Sequence, residues 1–351
     1  MLRGFWLRII LLLAALAMTP ARAADPAAPM PARVIAVGDL HGDFDAWNDI
    51  LRDAGLVDAK GKWVGGAAVL VQTGDVADRG ADSRRIIRDL MRLQREAVRA
   101  GGQVVALVGN HEAMNMTGDL RYVSAGEYAA FADSSSARWR DFAFDVNKKT
   151  IIKAYRQDNP FKSDKDIRTA WLAATPLGKI ELQAAWSASG EIGKWIAANP
   201  AVLRLGDTIF VHGGLNAAFA KRPIDAINAE VAAALKARNT LDSAIINDQD
   251  GPLWYRGLAE AASDTPGETQ GSDAAGATLD AALASLGARH MVIGHTPMLT
   301  GISLRHGGRL AMIDTGIARI YGGVISYLEI AGGRFVPHVV ARSLPAKGGK
   351  P

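Results

Sequence analysis

The chain has 351 residues, of which 49% are hydrophobic and 22% are charged, and it contains no cysteine. This composition is typical of a globular protein, and it excludes disulfide frameworks, cysteine-ligated metal centres and cysteine nucleophiles. The formal charge of +4 depends on three arginines in the first 23 residues; without them, 37 basic residues face 36 acidic ones. We therefore expect no nucleic-acid partner.

The N-terminus has the pattern of a secretory signal peptide. Two arginines precede the apolar run 9–18, which is too short to span a bilayer comfortably, and Pro20 ends this run. Residues 21–23, Ala-Arg-Ala, supply a cleavage pattern. We expect residues 1–23 to be removed, leaving no stable membrane span and a periplasmic or secreted protein; the alternative is an uncleaved membrane anchor. Residues 24–32, rich in Ala and Pro, predict a disordered lead-in.

Five short apolar runs in the remaining chain each end in a turn rich in Gly and in Asp, Asn or His. Continuous runs of this length are typical of strands that are buried on both faces. The runs are 34–37, 69–71, 104–108, 208–211 and 291–293, and the turns that follow them read GDLHGD, GDVADRG, GNHE, HGG and GHTP.

Helical spacing between the first runs indicates an α/β fold. Apolar residues between 86 and 93 lie on one side of a helix that starts near Asp82. The interval from Asp39 to Asp75 is 36 residues and that from Asp75 to Asn110 is 35, which fits successive β–α–β units. Because the carboxyl ends of such strands meet at one edge of a sheet, we expect the polar turns to be neighbours.

The remainder of the chain has a different pattern of apolar and polar residues. Residues from about 120 to 199 predict a mostly helical insertion, whose tryptophans form a small core of their own or line the mouth of the site. Alternating segments separated by Gly pairs predict antiparallel hairpins near the C-terminus, at 301–304, 310–313, 324–330 and 335–340. We expect one domain over residues 33–345.

The five polar turns contain residue types that could bind metal ions. Oxygen and nitrogen ligands without sulfur suit Mn, Fe or Zn. Two such ions bridged by a carboxylate hydrolyse phosphate esters, because a metal-bound water becomes a nucleophile near neutral pH. Four of the seven histidines lie in these turns together with acidic and amide side chains: His41, His111, His212 and His295, with Asp39, Asp75, Asp78 and Asn110.

The five motifs in this order resemble the calcineurin-like metallophosphoesterase superfamily, specifically its phosphoprotein phosphatase branch. The resemblance covers about residues 34–321, except most of the insertion. Asp43 replaces the Gln that is usual in the Ser/Thr phosphatases, and GPLWYR at 251–256 and IDTG at 313–316 are similar to the Shewanella-like protein phosphatases. The resemblance implies a β-sandwich flanked by helices, with the helical insertion and C-terminal antiparallel strands added.

The resemblance also implies a role for each polar residue. His111 would protonate the leaving group, and Asp78 would orient it. Glu112 is interpreted as structural. Two divalent ions, with Mn favoured over Fe or Zn, would be held by Asp39 and His41 on one side, by Asp75 as the bridge, and by Asn110, His212 and His295 on the other. The phosphate would be bound by Arg79, Asn110, Arg256 and Tyr321. For Arg256 the alternative is a packing arginine, and for Tyr321 it is a strand-edge aromatic residue.

The expected function is that of a dinuclear metal-dependent phosphomonoesterase with a metal-bound hydroxide as nucleophile. The resemblance favours phosphorylated proteins or peptides, with phosphotyrosine and/or phosphothreonine, as substrates. One alternative is a hydrolase of diadenosine polyphosphates, nucleotides or small phosphoesters, although such relatives usually have Asp where Glu112 stands. A second alternative is a non-catalytic module that binds a phosphorylated ligand.

Overall fold

The computed structural model describes residues 29–260 and 274–343. The predicted signal peptide 1–23, most of the predicted lead-in and the predicted domain end at residue 345 lie outside the described residues. The described residues form two five-stranded β-sheets that pack face to face, with helices outside. The strands are β1 (Arg33–Val37), β2 (Val69–Gln72), β3 (Gln103–Ala106), β4 (Val202–Leu205), β5 (Thr208–Val211), β6 (His290–Ile293), β7 (Ser303–Arg305), β8 (Leu310–Met312), β9 (Ile325–Ala331) and β10 (Arg334–Val340).

The helices lie mostly between the strands of the first half of the chain and in the insertion. They are α1 (Phe44–Asp53), α2 (Ser83–Arg99), α3 (Asn110–Thr117), α4 (Ala125–Phe131), α5 (Ser136–Asp158), α6 (Asp164–Ala174), α7 (Lys179–Trp186), α8 (Glu191–Ile196), α9 (Ile224–Ala237), α10 (Gly257–Glu260) and α11 (Ala274–Leu286). No helix of the described residues is both long enough and apolar enough to cross a membrane.

The predicted β–α–β units are confirmed. In the first sheet, of order β10-β9-β1-β2-β3, the strands β1, β2 and β3 are parallel and are joined by α1 and α2. The helix predicted near Asp82 begins at Ser83, with Asp82 as its N-cap. The C-terminal hairpins are also present, because β7 pairs with β8 and β9 with β10, both antiparallel.

The two packed sheets confirm the β-sandwich that the family resemblance implied, but they correct the expectation that the motif strands all end at one sheet edge. The motif-bearing runs at 208–211 and 291–293 are β5 and β6, and they belong to the sheet of order β4-β5-β6-β8-β7 rather than to the first sheet. The polar turns therefore converge from the ends of two sheets instead of one sheet edge. Strand β4, which pairs antiparallel with β5, carries no motif and is not among the predicted strands.

The burial of β1 explains why the strand sequences are continuously apolar. Val34 and Ala36 lie in the core between the two sheets. Ile35 and Val37 face the other way and belong to the core that the first sheet shares with its helices. Because both faces are covered, no position of the strand after Arg33 is free to be polar. Met30, near the end of the predicted lead-in, also packs against the core between the sheets.

The insertion is helical, as predicted, from α4 to α8. Its tryptophans do not share a single environment. Trp186 and Trp195 are buried in the main core, and Trp195 donates a hydrogen bond from Nε1 to Gln94 of α2 at 2.9 Å. The Trp171 ring packs at a tilt against Phe144 within the insertion, with the ring centroids 5.3 Å apart, whereas Trp139 is 48% exposed. The insertion is thus partly built into the main core, which the expectation of a separate core did not include.

The core between the sheets should be sensitive to truncation. Leu328 on β9 is fully buried there, whereas Leu304 on the edge strand β7 is 38% exposed. We expect Leu328→Ala to lower the free energy of unfolding by about 2–5 kcal/mol, because it leaves a cavity. Leu304→Ala should change it much less. Urea denaturation of both variants tests this, and equal losses would contradict the assigned packing.

Candidate metal centre

The five polar turns meet where the strands of both sheets end. Within the first sheet, the backbone N–H groups of Leu40 and His41 both donate to the Asp75 carbonyl at 3.0 Å. Between the sheets, His212 Nδ1 lies 2.9 Å from the Thr73 carbonyl oxygen. The His295 backbone N–H donates to the Asp39 carboxylate at 3.2 Å. These contacts place the predicted site residues from both sheets in one buried cluster.

Several of the predicted site residues have a strained backbone. A left-handed conformation at a residue other than glycine costs on the order of 1–3 kcal/mol and persists where the surrounding structure enforces it. Such positions cluster at functional sites, so their occurrence here agrees with the motifs. The residues are His41 (φ 42°), Asp75 (φ 55°), Asp78 (φ 71°), Arg79 (φ 66°) and His295 (φ 67°).

Glu112 in the first turn of α3 holds the turn that carries Asp75. One carboxylate oxygen of Glu112 accepts the backbone N–H groups of Asp75 and Gly109, each at 2.8 Å. The other oxygen accepts those of Val76 at 2.9 Å and Ala77 at 3.1 Å. Four donors on one buried carboxylate support the interpretation of Glu112 as a structural residue.

Two groups of potential metal ligands share the Asp75 carboxylate. One group contains His41, Asp75 and His111, and the other contains Asp75, His212 and His295; within each group the ligand atoms lie within 4.8 Å of one another. Asn110, also buried, places Oδ1 2.9 Å from His212 Nε2. The structure therefore brings a shared carboxylate, imidazoles and an amide oxygen together.

The orientation of two imidazoles fits a bound cation. Nδ1 of His41 lies 2.9 Å from the Ala77 carbonyl, and Nδ1 of His212 makes the equivalent contact with Thr73. A carbonyl only accepts, so each Nδ1 carries the hydrogen, and a neutral ring then directs the Nε2 lone pair toward Asp75. The distances from Nε2 to the carboxylate are 3.8 Å for His41 and 3.3 Å for His212. A metal ion between the lone pairs of the rings and the carboxylate would satisfy both, and this donor set suits Mn, Fe or Zn.

Burial keeps two of the imidazoles neutral. It lowers the pKa of His41 to about 4 and that of His295 to about 2. Nε2 of His295 is buried and has no hydrogen-bond partner within the described part of the chain. A neutral imidazole with an unused ring nitrogen is a ready metal ligand. For His212, burial acts in the same direction, but the Asp75 carboxylate outweighs it and raises the pKa.

Two further carboxyl groups lie beside these ligand groups. Asp39 is buried but lies outside both groups, and its oxygens face the His295 backbone. Its carboxyl interacts with that of Asp314, whose pKa burial raises to about 6. Asp314 follows β8 by two residues and belongs to the IDTG segment at 313–316, to which the sequence assigned no role in the site. The available signal is the one shared by the other motifs: an acidic residue directly after a buried apolar run.

His111 has a different partner from the other imidazoles. Its Nδ1 lies 2.6 Å from Asp78 Oδ2, and the Asn115 side chain donates to Asp78 Oδ1 at 2.8 Å. Although burial opposes it, the carboxylates of Asp75 and Asp78 raise the pKa of His111. This imidazole is therefore suited to holding a proton, and its Nε2 lies 3.8 Å from Asp75 Oδ2.

The remaining predicted residues surround the two ligand groups. Arg79 and His41 line a cavity of about 310 Å³. Tyr321 lies with its hydroxyl 3.5 Å from His41 Nε2, so it reaches the site. Arg256 lies on the side of the second group, where its Nη1 donates to the His295 carbonyl and to Thr296 Oγ1, each at 3.0 Å. The two predicted phosphate-binding arginines thus stand beside different ligand groups.

Comparison with known proteins agrees with this geometry. Residues 32–309 match the model of a family described as calcineurin-like phosphoesterase. The chain belongs to this family. It is therefore a phosphoesterase, and the resemblance inferred from the five motifs is confirmed.

Individual relatives support the narrower resemblance. Shewanella-like protein phosphatase 2 of Arabidopsis thaliana is 32% identical over 297 residues, which cover 82% of this chain and 72% of that protein. An uncharacterised protein of Schizosaccharomyces pombe is 32% identical over 310 residues, which cover 86% of this chain and 78% of that protein. Among solved structures, a cold-active protein tyrosine phosphatase is 25% identical with a TM-score of 0.63, covering 89% of this chain and 79% of that one.

The four bonds to Glu112 lead to a test of the scaffold. Glu112→Gln replaces one accepting oxygen with an N–H₂ group that would face backbone donors. We expect the metal-free variant to lose about 1–3 kcal/mol of unfolding free energy, because buried donors lose their acceptor. Glu191→Gln, at a side chain 63% exposed, is the matched control and should change little. Chemical denaturation measures both, and a Glu112→Gln variant as stable as the control would refute the anchoring role.

Glu127 in α4 is a second buried carboxyl that the motifs do not reveal. It is fully buried beside Ser83 and Asp78, and burial, with a further contribution from the Asp78 carboxylate, raises its pKa to about 8. The backbone N–H of Glu127 donates to Ser124 Oγ, so Ser124 caps the N-terminus of α4. Glu127 is therefore neutral over most of the pH range in which an unfolded chain would ionise it.

This pKa shift predicts a pH-dependent stability. The unfolded chain releases the Glu127 proton near pH 4.5 and the folded chain only near pH 8, so folding stability is lost as the pH rises between these values. Glu127→Gln is neutral in both states. We expect it to match the wild type near pH 5 and to be more stable at pH 8, by on the order of a few kcal/mol. Urea unfolding at both pH values measures the difference in unfolding free energy between the variant and the wild type. A difference that does not change with pH would contradict the raised pKa of Glu127.

Proposed function

We propose that the chain is a dinuclear metal-dependent phosphomonoesterase that acts on phosphorylated proteins or peptides. The observation that carries the proposal is the pair of ligand groups sharing Asp75, one of which includes His111 with its partner Asp78, and the position of Arg79 beside them. The protein substrate is supported by the names of two relatives, a protein phosphatase and a protein tyrosine phosphatase. A periplasmic or secreted location is part of the proposal and rests on the pattern of residues 1–23.

Residues of the two groups, together with Asp39 and Asn110 beside them, fit metal ions on chemical grounds. One ion would be held by Asp39, His41 and Asp75, and the other by Asp75, Asn110, His212 and His295. Manganese is favoured, and iron or zinc also suit these ligands. Two bound divalent ions supply Lewis acidity toward the phosphate and activate the attacking water. We leave His111 out of the ligand set and assign it as the proton donor, the role that the family resemblance implies and that its contact with Asp78 supports.

The chain's own side chains would carry out the other steps. Arg79 and Arg256 present guanidinium groups beside the two ligand groups, where they would bind phosphate oxygens and stabilise their charge. Asp78 holds Nδ1–H of His111, so that the imidazole keeps its second proton on Nε2 for the departing oxygen. Asn115 fixes Asp78 in turn.

The test compares two site variants of the metal-stripped chain reloaded with Mn²⁺. Asp75→Asn should lose both metal ions and phosphatase activity, because it removes the shared carboxylate. His111→Asn should keep its metal content while losing activity, most strongly on alkyl phosphates, whose leaving group needs a proton. Metal content is measured by mass spectrometry, and activity on phosphotyrosine and phosphothreonine peptides.

The substrate series separates the alternatives. Metal-dependent release of phosphate from either peptide supports a protein phosphatase. Cleavage of p-nitrophenyl phosphate or diadenosine tetraphosphate alone would favour a small-ester or nucleotide hydrolase. Binding of a phosphopeptide without cleavage of any substrate would favour a binding module. Full activity in Asp75→Asn contradicts the shared-carboxylate mechanism.

A further inference from the structure

The helical insertion begins at the active site. Tyr122, which lies between α3 and α4, has its ring centroid 4.4 Å from Arg79 Cζ and 5.1 Å from the ring centroid of His111. A guanidinium within about 6 Å of an aromatic ring is attracted to it. Of the Tyr122 residue, 37% is exposed to solvent and the rest is buried. One residue of the insertion therefore touches both the predicted phosphate-binding arginine and the predicted proton donor.

The same segment also holds the backbone of the arginine. The Arg79 N–H donates to the Tyr122 carbonyl at 3.0 Å, and the Ser124 hydroxyl donates to the Gly80 carbonyl at 2.7 Å. Asp78 and Arg79 are consecutive residues in the left-handed conformation, which is unfavourable without such support. The insertion therefore stabilises the turn from which Arg79 extends.

The Arg79 guanidinium is held by rings rather than by carboxylates. On its other side, the ring centroid of Tyr321 lies 5.2 Å from Cζ. Within residues 29–260 and 274–343, Arg79 forms no salt bridge, and its Nε has no hydrogen-bond partner. A carboxylate would neutralise the cation and occupy its N–H groups. Aromatic faces orient it and leave those donors available for an anion.

We propose that Tyr122 is a positioning residue that orients Arg79 for phosphate binding, so that the insertion sets the phosphate affinity of the site. This inference rests on the proposed function for its substrate. Removing the Tyr122 ring should leave the hydrogen bond from the Arg79 N–H to the Tyr122 carbonyl intact. It should also remove the aromatic contact that orients the Arg79 guanidinium. We expect Tyr122→Leu and Tyr122→Met to weaken binding of inorganic phosphate roughly 2- to 30-fold and to raise KM similarly. Tyr122→Phe keeps the ring and should behave like the wild type.

A double-mutant cycle separates positioning from a general structural role. Calorimetry with the Mn²⁺-loaded chain and inorganic phosphate measures the wild type, Tyr122→Leu, Arg79→Ala and the double variant. If Tyr122 acts through Arg79, its substitution has less than about a twofold effect once Arg79 is alanine. Trp139→Leu is the matched control. Trp139 is a half-exposed aromatic residue of the insertion whose ring centroid lies 5.8 Å from Arg138 Cζ. Its substitution should leave phosphate binding unchanged.

The outcomes distinguish this inference from the proposed function. Unchanged phosphate affinity in Tyr122→Leu and Tyr122→Met overturns it, as does an equal loss in the Arg79→Ala background. If the wild type binds phosphate in an Arg79- and Tyr122-dependent manner but hydrolyses no ester, the proposed function fails and the role of Tyr122 stands. If it hydrolyses phosphopeptides and the Tyr122 variants match it, only this inference fails. A wild type that neither binds phosphate nor hydrolyses an ester overturns both.

Discussion

The site depends on the conformation of the turn that carries Asp75. This residue has a left-handed backbone, and its carboxylate belongs to both ligand groups. The turn keeps this shape because Glu112 accepts four of its neighbouring N–H groups, which come from the ends of β2 and β3. A single buried carboxylate thus links two strand ends and fixes the residue that both groups share. Metal binding by either group would require this arrangement first.

The second requirement is the alignment of the two sheets. His212 follows β5 and His295 follows β6, whereas Asp75 follows β2. The contact between His212 and the Thr73 carbonyl, and that between the His295 N–H and Asp39, connect the two sheets at this end. Because the potential metal ligands come from both sheets, the apolar core between the sheets maintains the distances between these side chains as well as the stability of the fold.

The sequence predicts the strands, the first helices and the convergence of the motifs, because continuous apolar runs and polar turns are local signals. It does not assign β5 and β6 to a second sheet, since a strand buried on both faces has the same pattern in either sheet. It also does not reveal Asp314, Glu127 or Tyr122 as site residues. Their surroundings depend on contacts far along the chain, and Tyr122 and Glu127 lie in the insertion, outside the strand-end pattern.

The insertion is therefore more than an addition at the edge of the fold. Its far end is anchored through Trp186 and Trp195 in the main core, with Trp195 bonded to α2. Its near end supports the turn that immediately precedes α2, and that turn contains two consecutive strained residues, Asp78 and Arg79. Strain of this kind persists only where neighbouring structure enforces it, so the observed conformation of the turn depends on its contacts with the insertion. The insertion thereby supports the geometry of Asp78, the partner of the predicted proton donor, and of Arg79, the predicted phosphate-binding arginine.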